Sequence, residues 1–269
     1  MTSIPYLLIT AFSTHAFGGN PAIVFFADVT QPDEIFEGIA TSVKQPMAVF
    51  VSPEGKISPE SPNIASFDIR YFAASGMEVI LCGHATLAAA KAVFADKGRV
   101  PPQVDIIEFR NTRSQILRTT KVGADMIEMR LPSCMPEEVT QEERTQLTPL
   151  IHKAFGRELD ILHIAKGTGI YDIYIVIEIK EEENLKNSVV NTDALIGSGY
   201  IVHVVTTASS SGREAFVSRM FCPEHTPGGE DMVCGTAHCL IGPYWHKKRG
   251  ILPGEEVKAR QVSRRGGEL

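Results

Sequence analysis

Residues 81–98 read LCGHATLAAAKAVFADKG, and residues 233–250 read VCGTAHCLIGPYWHKKRG. Cys82, Gly83, Ala85 and Gly98 of the first stretch recur as Cys234, Gly235, Ala237 and Gly250 of the second, all at one offset. Each copy runs from an apolar strand end through Cys-Gly into a helix. The first helix, ATLAAAKAVFAD, is rich in Ala and Leu and nearly devoid of polar residues, so it is expected to form readily and to be buried on all sides. A repeat on this scale predicts an α+β fold of two pseudo-symmetric domains. The polar, proline-containing stretch SCMPEEVTQEE (133–143) places the boundary between residues 1–132 and 133–269.

The repeated unit has specific physics. The first turn of a helix carries backbone N–H groups with no partner in the helix and a partial positive charge. A glycine there lets a ligand come close to the backbone. Such a turn suits an anion. Two of them facing one hollow would grip a carboxylate and stabilise a developing enolate, with His84 and Thr236 flanking it. The competing reading is that both glycines only serve tight strand-to-helix turns.

Working outward, residues 5–11 and 20–27 read as strands around a Gly18-Gly19 turn, and 32–43 as a helix with Asp33 and Glu34 in its first turn. Strands are expected at 46–52, 66–73, 104–110, 114–120 and 125–131, and Gly98 is placed to cap the first buried helix. In the second half, helices are expected at 138–155, near 189–197 and at 236–248. Strands are expected at 170–179, 200–207 and 213–221.

Composition narrows the function. The 269 residues are 43% hydrophobic and 22% charged, which suits a globular chain with a sizeable core. A formal net charge of -6 gives no general attraction to nucleic acid or to anionic membranes. No stretch has the length of a membrane-spanning helix, and the N-terminus has no signal-peptide pattern. The five scattered cysteines form no CxxC pair, which speaks for a reducing, cytoplasmic setting and against a zinc knuckle. Cys222 with His225 makes two potential ligands, too few for a metal site, so no metal is expected. Gly-Thr-Gly at 167–169 and Gly-Ser-Gly at 197–199 are turns rather than dinucleotide fingerprints, and no nucleotide cofactor is expected.

FGGNPAIV (17–24), EVILCGHATLAAA (78–90), SRMFCP (218–223), EDMVCGTAH (230–238) and ARQVSRRGGEL (259–269) together resemble the PhzF-like, phenazine-biosynthesis family, which is akin in structure to diaminopimelate epimerase and proline racemase. The resemblance implies two barrel-like halves, each a curved sheet around a central helix, with the site in the cleft between them and a homodimeric assembly. It implies a cofactor-independent isomerase of small-molecule metabolism, secondary metabolism included; the best-known activity of the family moves a proton on a dihydro-hydroxyanthranilate. Asp231 and His84, carried over by motif, are catalytic candidates, and His238 in the first turn of the second helix is a third, with a satisfied core histidine as its competing reading. Asn20, Met47, Glu78, Cys82, Gly83, Cys234, Gly235 and Thr236 are the substrate-binding candidates.

One departure changes the expected chemistry. Where the family has a segment like NLSETAFV, with its proton-transferring glutamate, this chain reads KQPMAVFV (44–51) and places Met47 at the glutamate position. A thioether exchanges no proton. Three readings follow: another group (Asp231, His84, His238, Glu78 or a cysteine) takes over; the reaction is a cyclisation or rearrangement driven by positioning; or the protein binds without catalysis. Cys82 and Cys234 stand where epimerase relatives hold two catalytic thiols, so a two-thiol racemase is a further alternative, against two small buried residues. Family members usually continue past GGEL with another strand, so either the chain is shortened here or the final sheet is smaller, in which case its edge is to be covered, for instance at a dimer contact.

Overall fold

The computed structural model describes residues 4–15, 17–96, 98–123 and 126–269, apart from the Glu182 side chain. The described chain forms two compact units: 1–11 with 20–131, and 12–19 with 132–269.

The first unit contains β1 (Leu7–Ala11), β2 (Asn20–Phe26), α1 (Asp33–Val43), β3 (Met47–Val51), β4 (Lys56–Ile57), β5 (Ile64–Ala73), β6 (Glu78–Val79), α2 (Gly83–Ala95), β7 (Ile106–Arg110), β8 (Ile116–Val122) and β9 (Met126–Met129). Its sheet runs β1-β2-β3-β5-β7-β8-β9, with β4 and β6 paired to β5. The β2–β3 and β5–β7 pairs are parallel and the others antiparallel. Strand alternation sorts the side chains. Ala22, Val24, Met47, Val49 and Tyr71 pack with Ala85, Ala88, Ala89 and Ala92 of α2, whereas Ile23, Phe25, Phe50 and Phe72 pack on the other face with Phe36 and Ala40 of α1. The small residues of α2 let the strands close in around it. The helix touches β1 at one edge of the sheet and β9 at the other, which a flat sheet would not permit. The sheet therefore curls around the helix, as expected.

The second unit contains β10 (Glu137–Glu138), α3 (Gln141–Phe155), β11 (Ile161–Lys166), β12 (Tyr174–Ile179), β13 (Val202–Ala208), β14 (Phe216–Phe221), β15 (Glu230–Asp231), α4 (Gly235–Arg249), β16 (Ala259–Gln261) and β17 (Gly267–Glu268). The order β11-β12-β13-β14-β16-β17, with β15 on β14, repeats the path β1-β2-β3-β5-β7-β8 with β6 on β5. The parallel pairs, β12–β13 and β14–β16, fall in the same places. On the inner face Trp245 of α4 donates to Thr206 Oγ1 at 2.9 Å and stacks on Phe216. On the outer face α3 packs Leu147, Ile151 and Phe155 over Ile175, Ile177 and Val205. Residues 12–19 join this unit: Gly19 N–H donates to Gly266 O at 2.7 Å, and Glu268 N–H to Phe12 O at 3.1 Å.

Several expectations need correction. The helix near 189–197 is a single 3-10 turn, Thr192–Leu195, because Gly197 and Gly199 both adopt positive φ just beyond it. The strand at 170–179 begins only at Tyr174, after a 3-10 turn at Gly169–Tyr171. Helix α3 starts at Gln141, where Thr140 and Glu143 form a reciprocal capping box. Gly250 caps α4 with φ 64°, but its counterpart Gly98 does not cap α2, which ends in extended backbone at Asp96. The start of the strand at residue 125 lies outside the described residues.

Candidate active site

In the first unit, β6 delivers the chain to the start of α2. Cys82 is the extended N-cap, at φ −143° and ψ 109°. Thr86 turns back onto it: its N–H and its hydroxyl both donate to Cys82 O, at 3.0 and 2.8 Å. The Tyr71 hydroxyl, its pKa raised by burial, lies 2.6 Å from Thr86 Oγ1. His84 is 7% exposed, with Nδ1 3.4 Å from Cys82 Sγ and no hydrogen-bond partner at Nε2. Burial pushes its pKa down to about 4, with the Pro21 carbonyl opposing, so the ring is neutral at pH 7. Asn20, fully buried, opens β2 opposite Ala11. Met47 opens β3 opposite Ala73 and shares an apolar cluster with Cys82 and Ala85.

The second unit builds the same turn with different groups. Cys234 is the N-cap of α4, and its Sγ accepts the Ala237 N–H at 3.4 Å. Thr236 Oγ1 lies 3.1 Å from that sulfur and 3.0 Å from the Tyr174 hydroxyl. His238 Nδ1 is 2.8 Å from Cys234 O. A carbonyl only accepts, so Nδ1 carries the proton and Nε2, buried and without a hydrogen bond, is a lone-pair acceptor. Burial holds His238 near 4, the Cys234 carbonyl opposing. Asp231 lies one residue after Glu230 in β15, opposite Met220 of β14. Gln261, fully buried, accepts the Cys234 N–H at 2.9 Å and donates to Asp231 O at 2.6 Å.

Each unit thus gathers its own expected residues at one helix start: Asn20, Met47, Cys82, Gly83 and His84 in the first, Asp231, Cys234, Gly235, Thr236 and His238 in the second. Thr86 and His238 stand at equivalent positions and both bind the carbonyl of the cysteine four residues before them. Neither Gly83 nor Gly235 has positive φ, so neither glycine is required by left-handed backbone. Glu78, a candidate base and substrate contact, is ion-paired: Arg70 Nε and Nη2 each hold one of its oxygens at 2.8 Å. Sequence reasoning missed Tyr71, Tyr174, Gln261 and both arginines of such pairs. A signal existed, since Arg70-Tyr-Phe precedes Glu78 and Arg219-Met-Phe precedes Glu230.

Among the described residues no three His, Cys, Asp or Glu side chains gather as metal ligands. His225 bonds Cys222 through the backbone, and burial pushes the Cys222 thiol up. A shallow hollow lined by Met135, Leu162, His163, Tyr244 and Lys248 lies at the far end of α4, about 12 Å along the helix from Thr236. Among the described residues no helix is long and apolar enough to cross a membrane.

Comparison with known proteins agrees with this fold. Residues 9–269 match the family described as phenazine biosynthesis-like protein, PhzC-PhzF. The chain is 31% identical to an uncharacterized isomerase of Halalkalibacterium halodurans, over all of this chain and 91% of the relative. The crystal structure of a PhzF-family protein from Enterococcus faecalis superposes with a TM-score of 0.81 at 29% identity, covering 100% of this chain and 90% of that one. A probable proline racemase from Agrobacterium radiobacter, at 12% identity and a TM-score of 0.55 over 93% of this chain and 80% of that one, shares the fold.

Proposed function

Because the chain belongs to the phenazine biosynthesis-like family, we propose that it is an isomerase-type enzyme that isomerises or cyclises a small acidic or carbonyl-bearing substrate bound at the start of α4. The observation that carries this reading is the pair of matched Cys-Gly helix starts, each presenting first-turn N–H groups beside a histidine whose Nε2 makes no hydrogen bond. The N–H groups at the start of α4 hold the anionic end of the substrate. The Asp231 carboxylate removes a proton from the carbon next to the carbonyl and returns it elsewhere on the same molecule, so that no atom is gained or lost.

Met47 makes Asp231 the acid/base of choice. The family's glutamate position lies in an apolar wall here, and Glu78 is held by Arg70. The test is a screen of carboxylate-bearing metabolites followed by NMR in D2O. Asp231→Asn is expected to lower turnover by roughly 10²–10⁴-fold while leaving the fold intact. Wild-type turnover in that variant would refute the role.

A second reading has its own support: the Cys234 sulfur accepts a helix N–H, a setting that favours a thiolate. A two-thiol racemase would lose all activity in Cys82→Ser and in Cys234→Ser. The Asp231 mechanism expects both variants to keep it.

A further inference from the structure

The two units share a device that neither Asp231 nor His84 explains. Arg70 of β5 and Arg219 of β14 are each 8% exposed. Arg70 binds Glu78 through Nε and Nη2, both at 2.8 Å. Arg219 binds Glu230 through Nε at 2.7 Å and Nη2 at 2.8 Å. Each guanidinium also lies over the phenylalanine two residues on, Phe72 at 5.1 Å and Phe221 at 5.0 Å. The remaining partners differ. Arg70 reaches Asp33 of α1, at 2.6 Å, whereas Arg219 reaches the carbonyls of Leu185 and Ser188. What the two copies keep in common is a two-toothed grip on the glutamate four residues before the helix-capping cysteine.

That glutamate occupies a strand of only two residues, β6 in one unit and β15 in the other. So short a strand holds its register weakly, and a one-residue slip would exchange its faces. In β15 such a slip would exchange Glu230 with Asp231. With Glu230 fixed on the Arg219 face, alternation sends Asp231 to the opposite face. A buried carboxamide braces the turn from the other side. Gln261, opposite Ser218 in the β14–β16 pair, donates to Asp231 O. Asn111, one residue past the β5–β7 register, donates to Ile80 O at 2.9 Å.

We propose that Arg219–Glu230 and Arg70–Glu78 are positioning pairs that lock the register of the two short strands, so that Asp231 and the helix-start N–H groups face the ligand. This rests on the reading of those turns as the reactive site. A purely structural pair would loosen its whole unit when weakened, whereas a register lock loosens its own turn.

The test uses the whole protein and needs no substrate. Amide hydrogen exchange and the carboxyl NMR titration of Asp231 are followed in Arg219→Lys, which keeps the charge but loses the fork, and in Arg70→Lys. Glu230→Gln and Glu78→Gln serve where a lysine variant unfolds. Arg219→Lys is expected to speed exchange at residues 234–237 about ten-fold and to shift the Asp231 titration, leaving residues 82–86 within about two-fold of wild type. Arg70→Lys is expected to do the converse and to leave Asp231 unmoved. Unchanged exchange at the turns, or equal loosening throughout, would overturn the proposal. A protein that shows the local effect yet turns over nothing would keep the register lock and sink the isomerase reading instead.

Discussion

Met47 opens β3 with 9% exposure, in contact with the wall of α2. A carboxyl group placed there would enter an apolar cluster. Met47→Glu is therefore expected to raise that carboxyl's pKa and to destabilise the fold by about 2 kcal/mol at pH 7, read by urea unfolding. Unchanged stability would mean that the site is wetter than its packing shows. The histidines make a second prediction at this scale. His84 and His203, 7% and 1% exposed, are both lowered to about 4 by burial. Their folded pKa values lie below the unfolded value, so the unfolded chain binds more protons between the two. Stability is complete above about pH 6.5 and is lost as pH falls toward 4, by up to about 2 kcal/mol per histidine at pH 5. Unfolding curves at pH 7.5 and 5 check this, and His203→Gln is expected to flatten the difference.

At the scale of elements, the start of α4 depends on Gln261, which satisfies a buried N–H and a carbonyl at once. Gln261→Leu removes both of these hydrogen bonds and is expected to cost about 2–4 kcal/mol, measured by chemical denaturation. The helix starts were legible in the sequence because Cys82 and Cys234 head runs of constant offset that also include Glu78 and Glu230. The arginine forks were not, because seven residues separate Arg70 from Glu78 but ten separate Arg219 from Glu230, and the loop between them breaks the repeat. Gln261 was hidden for a related reason: β16 and β17 span three and two residues, too few for alternation to register. Strand β11 was missed because His163 and Lys166 interrupt the apolar residues of the short stretch ILHIAK between Gly156 and Gly167. The 3-10 turn at Thr192–Leu195 was mistaken for a helix because its composition suits one, while the glycines that end it act through backbone conformation.

At the scale of the molecule, each unit sets a helix against a curled sheet, the helix nearly apolar in α2 and polar at its C-terminal end in α4, and the two sheets follow the same strand path. The copies have diverged in chemistry more than in architecture. His84 faces Thr236 in the alignment of the turns, Val79 faces Asp231, and Met47 corresponds by register to Val202. Both copies thus keep a histidine near the helix start, His84 in one and His238 in the other, while only the second adds the carboxylate of Asp231. The central claim is that the helix starts are anion sites. The most direct measurement is an NMR titration of the labelled protein with a small aromatic carboxylate, following the amides of Gly83, His84, Gly235 and Thr236. The amides of the start of α4, Gly235 and Thr236, are predicted to shift with a common midpoint. No shift at either of them would contradict the account.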